Sequence, residues 1–227
     1  ISGPSGSGKT SLLRALAGLW SYGNGSITFF DDNLQSVKEE EEGRIRGRRR
    51  RRRTSVFFLP QRPYMVLGTL RQQLLYPTWY ENCSETDQLE GTIDSSRIDD
   101  ERRRRTKPTT EELKRILEKV RLDYVLTRFD LDSTHEWSSV LSIGEQQRLA
   151  FARLLLSGPE LALLDESTSA LDEPNEAHLY RLMEESGITY VSIGHRKSLY
   201  RHHVNVLNVS PSSESWSPVR NWSLEPI

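Results

Sequence analysis

The octapeptide GPSGSGKT at residues 3–10 constrains this chain more than any other stretch. It matches G-x-x-x-x-G-K-[ST] through Gly3, Gly8, Lys9 and Thr10, and SLLRALAGLW follows it at once, with Leu12, Leu13, Leu16 and Leu19 at helical spacing. Glycines let successive backbone N–H groups close around a phosphate, and the first turn of a helix adds partial positive charge there. Gly3, Pro4, Ser5, Gly6, Ser7 and Gly8 are therefore candidate phosphate contacts. Lys9 suits the β- and γ-phosphates, and the Thr10 hydroxyl suits Mg²⁺. Such a loop joins a buried parallel strand to a helix, so an α/β fold is predicted. Only Ile1 and Ser2 precede Gly3; the first strands of the fold are expected ahead of residue 1.

The remaining sequence alternates accordingly. A strand is predicted in SITFF (26–30), and others in SVFFLP (55–60), LALLDE (161–166) and ITYVSIGH (188–195). Helical patterns occupy 109–129, the stretch from Gly144 to the Gly-Pro stop at 158–159, and about 175–186. A short helix and a terminal strand pair, VNVLNV and NWSLEPI, follow. Apolar strands separated by helices argue for a mainly parallel sheet. Two segments break the pattern: 31–53, ending in six arginines, and 81–108, which also sets acids ahead of arginines. Both have too few apolar residues to fold and are read as low-complexity insertions whose opposite charges pair locally. With a net charge of −1, no nucleic-acid partner is expected. The single Cys83 excludes an internal disulfide and suits a reducing compartment. No apolar run is long enough to cross a bilayer.

Four further positions carry chemistry. Asp165 ends a buried strand, where an open α/β sheet places a Mg²⁺ contact, and Glu166 beside it suits a general base for water. Gln61 and His195 also stand at strand ends. A lone Gln or His is usually structural or exposed, but at this edge an amide can meet Mg²⁺ or water and an imidazole can bond a γ-phosphate. The stretch LSIGEQQRLAFARLLL (141–156) sets Ser142 and Gly144 ahead of a second helix, beginning near Glu145. It reads either as another phosphate site or as a plain helix cap, with Ser142 bonding backbone at Glu145.

In this order, GPSGSGKT, Gln61 in LPQRPYM, LSIGEQQR, LALLDE, SALD and His195 resemble the ATP-binding domain of ABC-type ATPases. The wording of EWSSVLSIGEQQRLAFARLLL, LALLDESTSALDEPNEAHLY and SIGHRKSLYRHH is similar to subfamily D, which includes peroxisomal, lysosomal, plastid and bacterial members. The resemblance implies a P-loop NTPase fold of ABC type across 1–227, with a mainly parallel core sheet, an antiparallel β part and a helical subdomain. It implies ATP hydrolysis with Mg²⁺. Lys9, Thr10, Gln61 and Asp165 would hold Mg-ATP, Glu166 would activate water, and His195 would contact the γ-phosphate. Ser142, Gly144 and Glu145 would cap ATP bound to a second, head-to-tail ABC domain, in a homo- or heterodimer, and Asp172 would connect the paired sites. A fused or partner transmembrane domain is implied as well. The ATPase domain would then face cytosol or stroma, at a peroxisomal or plastid membrane. The family's adenine-stacking aromatic lies upstream of the phosphate loop, so no residue here is assigned to it; Ile143 stands where many ABC domains have Gly. The alternative is a soluble ABC ATPase of translation or DNA maintenance. The DNA-repair type inserts a coiled coil after the Gln loop, and residues 62–140 carry no heptads.

Overall fold

Three short parallel strands set the site: β1 (Val56–Leu59), β2 (Leu161–Asp165) and β3 (Thr189–Ile193), in that order across the sheet. Leu59 lies opposite Leu164 and Asp165 opposite Ile193, so all three strands end at one edge. The computed structural model describes residues 1–20, 26–28, 55–79, 107–210 and 222–227. The proposed insertions lie outside the described residues apart from Lys107 and Pro108, and residues 26–28 are neither helix nor strand.

β2 is apolar up to its terminal Asp165 because both its faces are covered. Leu163 packs with Leu13 and Ile193 on one side, under α1 (Lys9–Leu16). On the other side Ala162 and Leu164 join the main core. That core is built around α5 (Ile143–Ser157), with α2 (Leu70–Leu75), α3 (Thr110–Lys119), the short α4 (Trp137–Val140) and α6 (Glu173–Glu185). Ala150, Phe151 and Leu154 of α5 are buried, and burial of a Phe or Leu side chain contributes about 1.5–3 kcal/mol. Single 3₁₀ segments lie at Asp123–Thr127 and Lys197–His202. The expected terminal pair is an antiparallel ribbon, β4 (Asn205–Val209) with β5 (Trp222–Pro226). Ser2 runs parallel to β4: its N–H donates to Leu207 O (2.8 Å) and its carbonyl accepts from Val209 N (2.8 Å).

Two helices are shorter than their periodicity predicts. α1 stops at Leu16, leaving Leu19 64% exposed, because Gly18 adopts φ 72° and the N–H groups of Gly18 and Leu19 return to Ala15 and Arg14. α3 stops at Lys119 rather than continuing to 129, because Arg121 takes φ 59° and the N–H groups of Arg121 and Leu122 return to Glu118 and Leu117. A helix stop of this kind is usually a glycine, so an arginine there gave no warning in the sequence. α5 starts two residues before Glu145, at Ile143, and ends as expected on Gly158 in a left-handed conformation.

Candidate active site

Residues 3–10 form a loop running into α1. Lys9, 6% exposed, donates from Nζ to Gly3 O (2.8 Å) and Pro4 O (2.7 Å). Gly8 precedes the helix in a left-handed conformation with no side-chain cap, so the first amides of α1 face the loop without an internal acceptor. Gly3 is required by close approach: a Cβ there would lie 2.1 Å from Val209 O. The Ser7 hydroxyl is buried without a hydrogen-bond partner among the described residues.

The Thr10 hydroxyl donates to Asp165 Oδ1 (2.9 Å), joining the loop to the end of β2. Burial raises the proton affinity of the Asp165 carboxyl above its ordinary value, against the Thr10 hydrogen bond and the charges of Arg14 and Lys9. Glu166 leaves the strand at φ 48°, unfavourable for a residue with a Cβ, with its N–H on Ile193 O (3.1 Å). This turn carries its carboxylate between two neighbours. Gln61 Nε2 donates to Glu166 Oε2 (2.9 Å), and His195 Nε2 lies 3.1 Å from Oε1. A carboxylate only accepts, so the proton of that contact sits on His195 Nε2. The strand-end residues Gln61, Asp165, Glu166 and His195 thus converge; Thr10 reaches them from the loop through Asp165, while the Lys9 ammonium bonds the loop's own carbonyls.

Ser142, Gly144 and Glu145 make a second group. Ser142 Oγ accepts from Glu145 N (3.3 Å) and Glu145 Oε2 accepts from Ser142 N (2.7 Å), a reciprocal cap. The plain-cap reading is therefore correct for the local geometry. Burial pushes the Glu145 carboxyl upward, but the Ser142 bonds, Tyr124 and Arg128 outweigh it and hold the group below its ordinary value. Ile143 beside it is 52% exposed. Among the described residues no hydrogen bond joins this group to the phosphate loop, and Asp172 caps α6 through Asn175 N (2.9 Å).

Three further side chains tie the site together without having been singled out by sequence. Gln147 is fully buried between the Gln61 loop and residues 169–170. Arg196, next to His195, donates to Ser169 O (2.9 Å) and Leu171 O (2.5 Å). The buried Glu176 accepts from Thr168 (2.9 Å) and Ser198 (2.7 Å). Gln147 could have been found: it stands on the 147/150/151/154 stripe of α5, a polar residue at a core position. Arg196 and Glu176 lie in polar stretches with no such signal.

A phosphate loop, a buried aspartate on its threonine, and a glutamate at the adjoining strand end have the arrangement of a P-loop nucleotide-binding domain. The ABC transporter family model matches residues 1–169, and the chain belongs to that family, with D-subfamily character. It is 56% identical over 234 residues to the chloroplastic ABC transporter D family member 2 of Arabidopsis thaliana, covering all of this chain and 32% of that protein. It is 39% identical over 212 residues to the human lysosomal cobalamin transporter ABCD4, covering 92% and 29%. The chain spans about a third of the length of these relatives. Among solved structures, a bacterial Atm1-family ABC exporter with ATP bound has a similar fold, with a TM-score of 0.61, 22% identity, and coverage of 91% of this chain and 31% of that one. The relatives are transporters, so the soluble translation or DNA-maintenance alternative is not favoured.

Proposed function

We propose that residues 1–227 act as one ATPase domain that powers an ABC transporter, with polar insertions at 31–53 and 81–108, coupled to a transmembrane domain. The observation that carries this is the placing of Glu166 between Gln61 and His195 beside the Thr10–Asp165 contact. No helix among the described residues is long and apolar enough to cross a membrane, so the membrane domain is assigned to other sequence. The names of the relatives support a membrane location, and the Arabidopsis similarity favours a plastid membrane with this domain facing stroma or cytosol.

The loop N–H groups, Pro4 having none, and Lys9 hold the phosphates, and the unpaired Ser7 hydroxyl is available as a further donor. The oxygens of Thr10, Gln61 and Asp165 suit Mg²⁺, a hard cation that prefers oxygen ligands. A buried carboxyl with raised proton affinity fits a cation at that place. Bound there, Mg²⁺ would neutralise charge on the β- and γ-phosphates. Glu166 accepts the proton of the attacking water, Gln61 and His195 orient its two oxygens, and His195 reaches the γ-phosphate. Ser142 and Gly144, with the buried Glu145 bonded to Ser142 N beneath them, cap nucleotide on a second ABC domain, head-to-tail, with Asp172 near the junction. The exposure of Ile143 supports an outward-facing cap.

The deciding experiment is Glu166→Gln in the intact protein. Turnover should fall by at least ~100-fold, the usual contribution of a general base, while ATP binding persists. Turnover within a few-fold of the unsubstituted protein would remove Glu166 as the base.

A further inference from the structure

Gln147 closes a ring of hydrogen bonds around Glu166. Its Nε2 donates to the backbone carbonyl of Gln61 (3.1 Å) and to Ser169 Oγ (3.2 Å), while its Oε1 accepts from Ala170 N (3.0 Å). The Gln61 side chain continues to Glu166 Oε2 (2.9 Å), and Ser169 N returns to the Glu166 carbonyl (3.1 Å). The ring therefore runs from Gln147 through Gln61 and Glu166 to Ser169 and back. On its far side Arg196 holds Ser169 O (2.9 Å), immediately after His195, which meets the other Glu166 oxygen (3.1 Å). A second tie from α5 reinforces the first: Arg153, 4% exposed, donates to Tyr64 O (2.6 Å), three residues beyond Gln61.

Packing alone does not call for this amide. Ala150, Phe151 and Leu154 share its face of α5 and all are buried, so an apolar residue would complete the stripe. A buried amide is costly when left unpaired, and here each bond goes to a loop that carries or follows a site residue. We infer that Gln147 is a positioning residue for ATP hydrolysis: it fixes the Gln61 loop against residues 169–170 so that the Gln61 amide meets the Glu166 carboxylate. It touches no substrate and acts through Gln61. The inference rests on the ATPase reading above.

The test is steady-state ATP hydrolysis and equilibrium ATP binding by the intact protein with Gln147→Leu. A misplacement of about 1 Å at a reacting group can cost ~100-fold, and a kcat loss of at least ~10-fold is expected here, with ATP affinity within about threefold because residues 3–10 are untouched. In a Gln61→Ala background the same substitution should change kcat less than about twofold, since a residue acting through another adds little once that partner is gone. Multiplicative losses, a kcat near that of the unsubstituted protein, or ATP affinity falling in step with kcat would each overturn the inference. Gln147→Glu gives a second reading if the leucine variant does not fold. It keeps an acceptor for Ala170 N–H but sets a carboxylate oxygen against the Gln61 carbonyl, so kcat should again fall and recover in part as acidification protonates it. A Gln147→Glu variant with unchanged kcat counts against the inference. Absence of ATP hydrolysis by the unsubstituted protein, or full activity with Lys9→Ala, would instead count against the ATPase reading itself.

Discussion

Asp165 and Glu166 are neighbours with opposite problems. Asp165 is buried at the end of β2, 6% exposed, and its carboxyl holds a proton more strongly in the folded chain than in the unfolded one. The linkage sign follows: a carboxyl with a raised folded pKa makes folding less favourable as pH rises through its range and leaves that cost in place at neutral pH. Asp165→Asn keeps an oxygen for the Thr10 hydroxyl and removes the charge, so without nucleotide its melting temperature should exceed that of the unsubstituted protein at pH 7. The difference should shrink on acidification, while Mg²⁺-dependent hydrolysis is lost. A lower melting temperature for the variant at pH 7 would contradict this account. Glu166 bears its strain in the backbone instead, at φ 48°. Both residues were legible in LALLDE as carboxylates at the C-terminal end of a buried strand, the edge at which an open α/β sheet binds ligands. The left-handed turn that aims Glu166 was not, since local sequence did not announce it.

At the scale of elements, the sequence was most readable where the signal is local. The Ser142 cap of α5, its Gly158 stop and the two-faced apolar β2 follow from rules that act within a few residues. It was least readable where tertiary contacts decide. Arg121 ends α3 although arginine disfavours that conformation, and its side chain donates to Asn175 (3.0 Å) while its carbonyl accepts from Arg148. The Asn175 contact is exposed and worth little, whereas the left-handed backbone costs a residue with a Cβ roughly 1–2 kcal/mol. Arg121→Gly should therefore raise stability, by about 1 kcal/mol after allowing for glycine's extra freedom when unfolded, as measured by chemical denaturation. Unchanged or reduced stability would mean that the arginine contacts outweigh the backbone cost. Gln147 lies between these cases. Its pattern position marked it as out of place, but its partners, Gln61 and Ala170, are far away in sequence.

The whole molecule is organised by backbone pairings that span long stretches of sequence. The expected parallel core and separate antiparallel part are both present, yet the phosphate loop does not belong to the parallel sheet alone. Ser2 pairs with β4, and Gly3 packs so closely on Val209 that a Cβ would overlap its carbonyl at 2.1 Å. Gly3→Ala should therefore weaken ATP binding by ~10-fold or more, equivalent to about 1.4 kcal/mol, and increase amide exchange at Val209. Tight binding with Val209 still protected would show that the loop tolerates the shift. The same pairing sets an order of assembly. During synthesis Ser2 and the loop at 3–10 that follows it emerge well before the backbone partners of Ser2, Leu207 and Val209. Such sequence-distant closure is slow to form. Between those two points in synthesis the motif exists without the β4 partner that anchors it, and closing this long-range pairing is what lets nucleotide stabilise the fold.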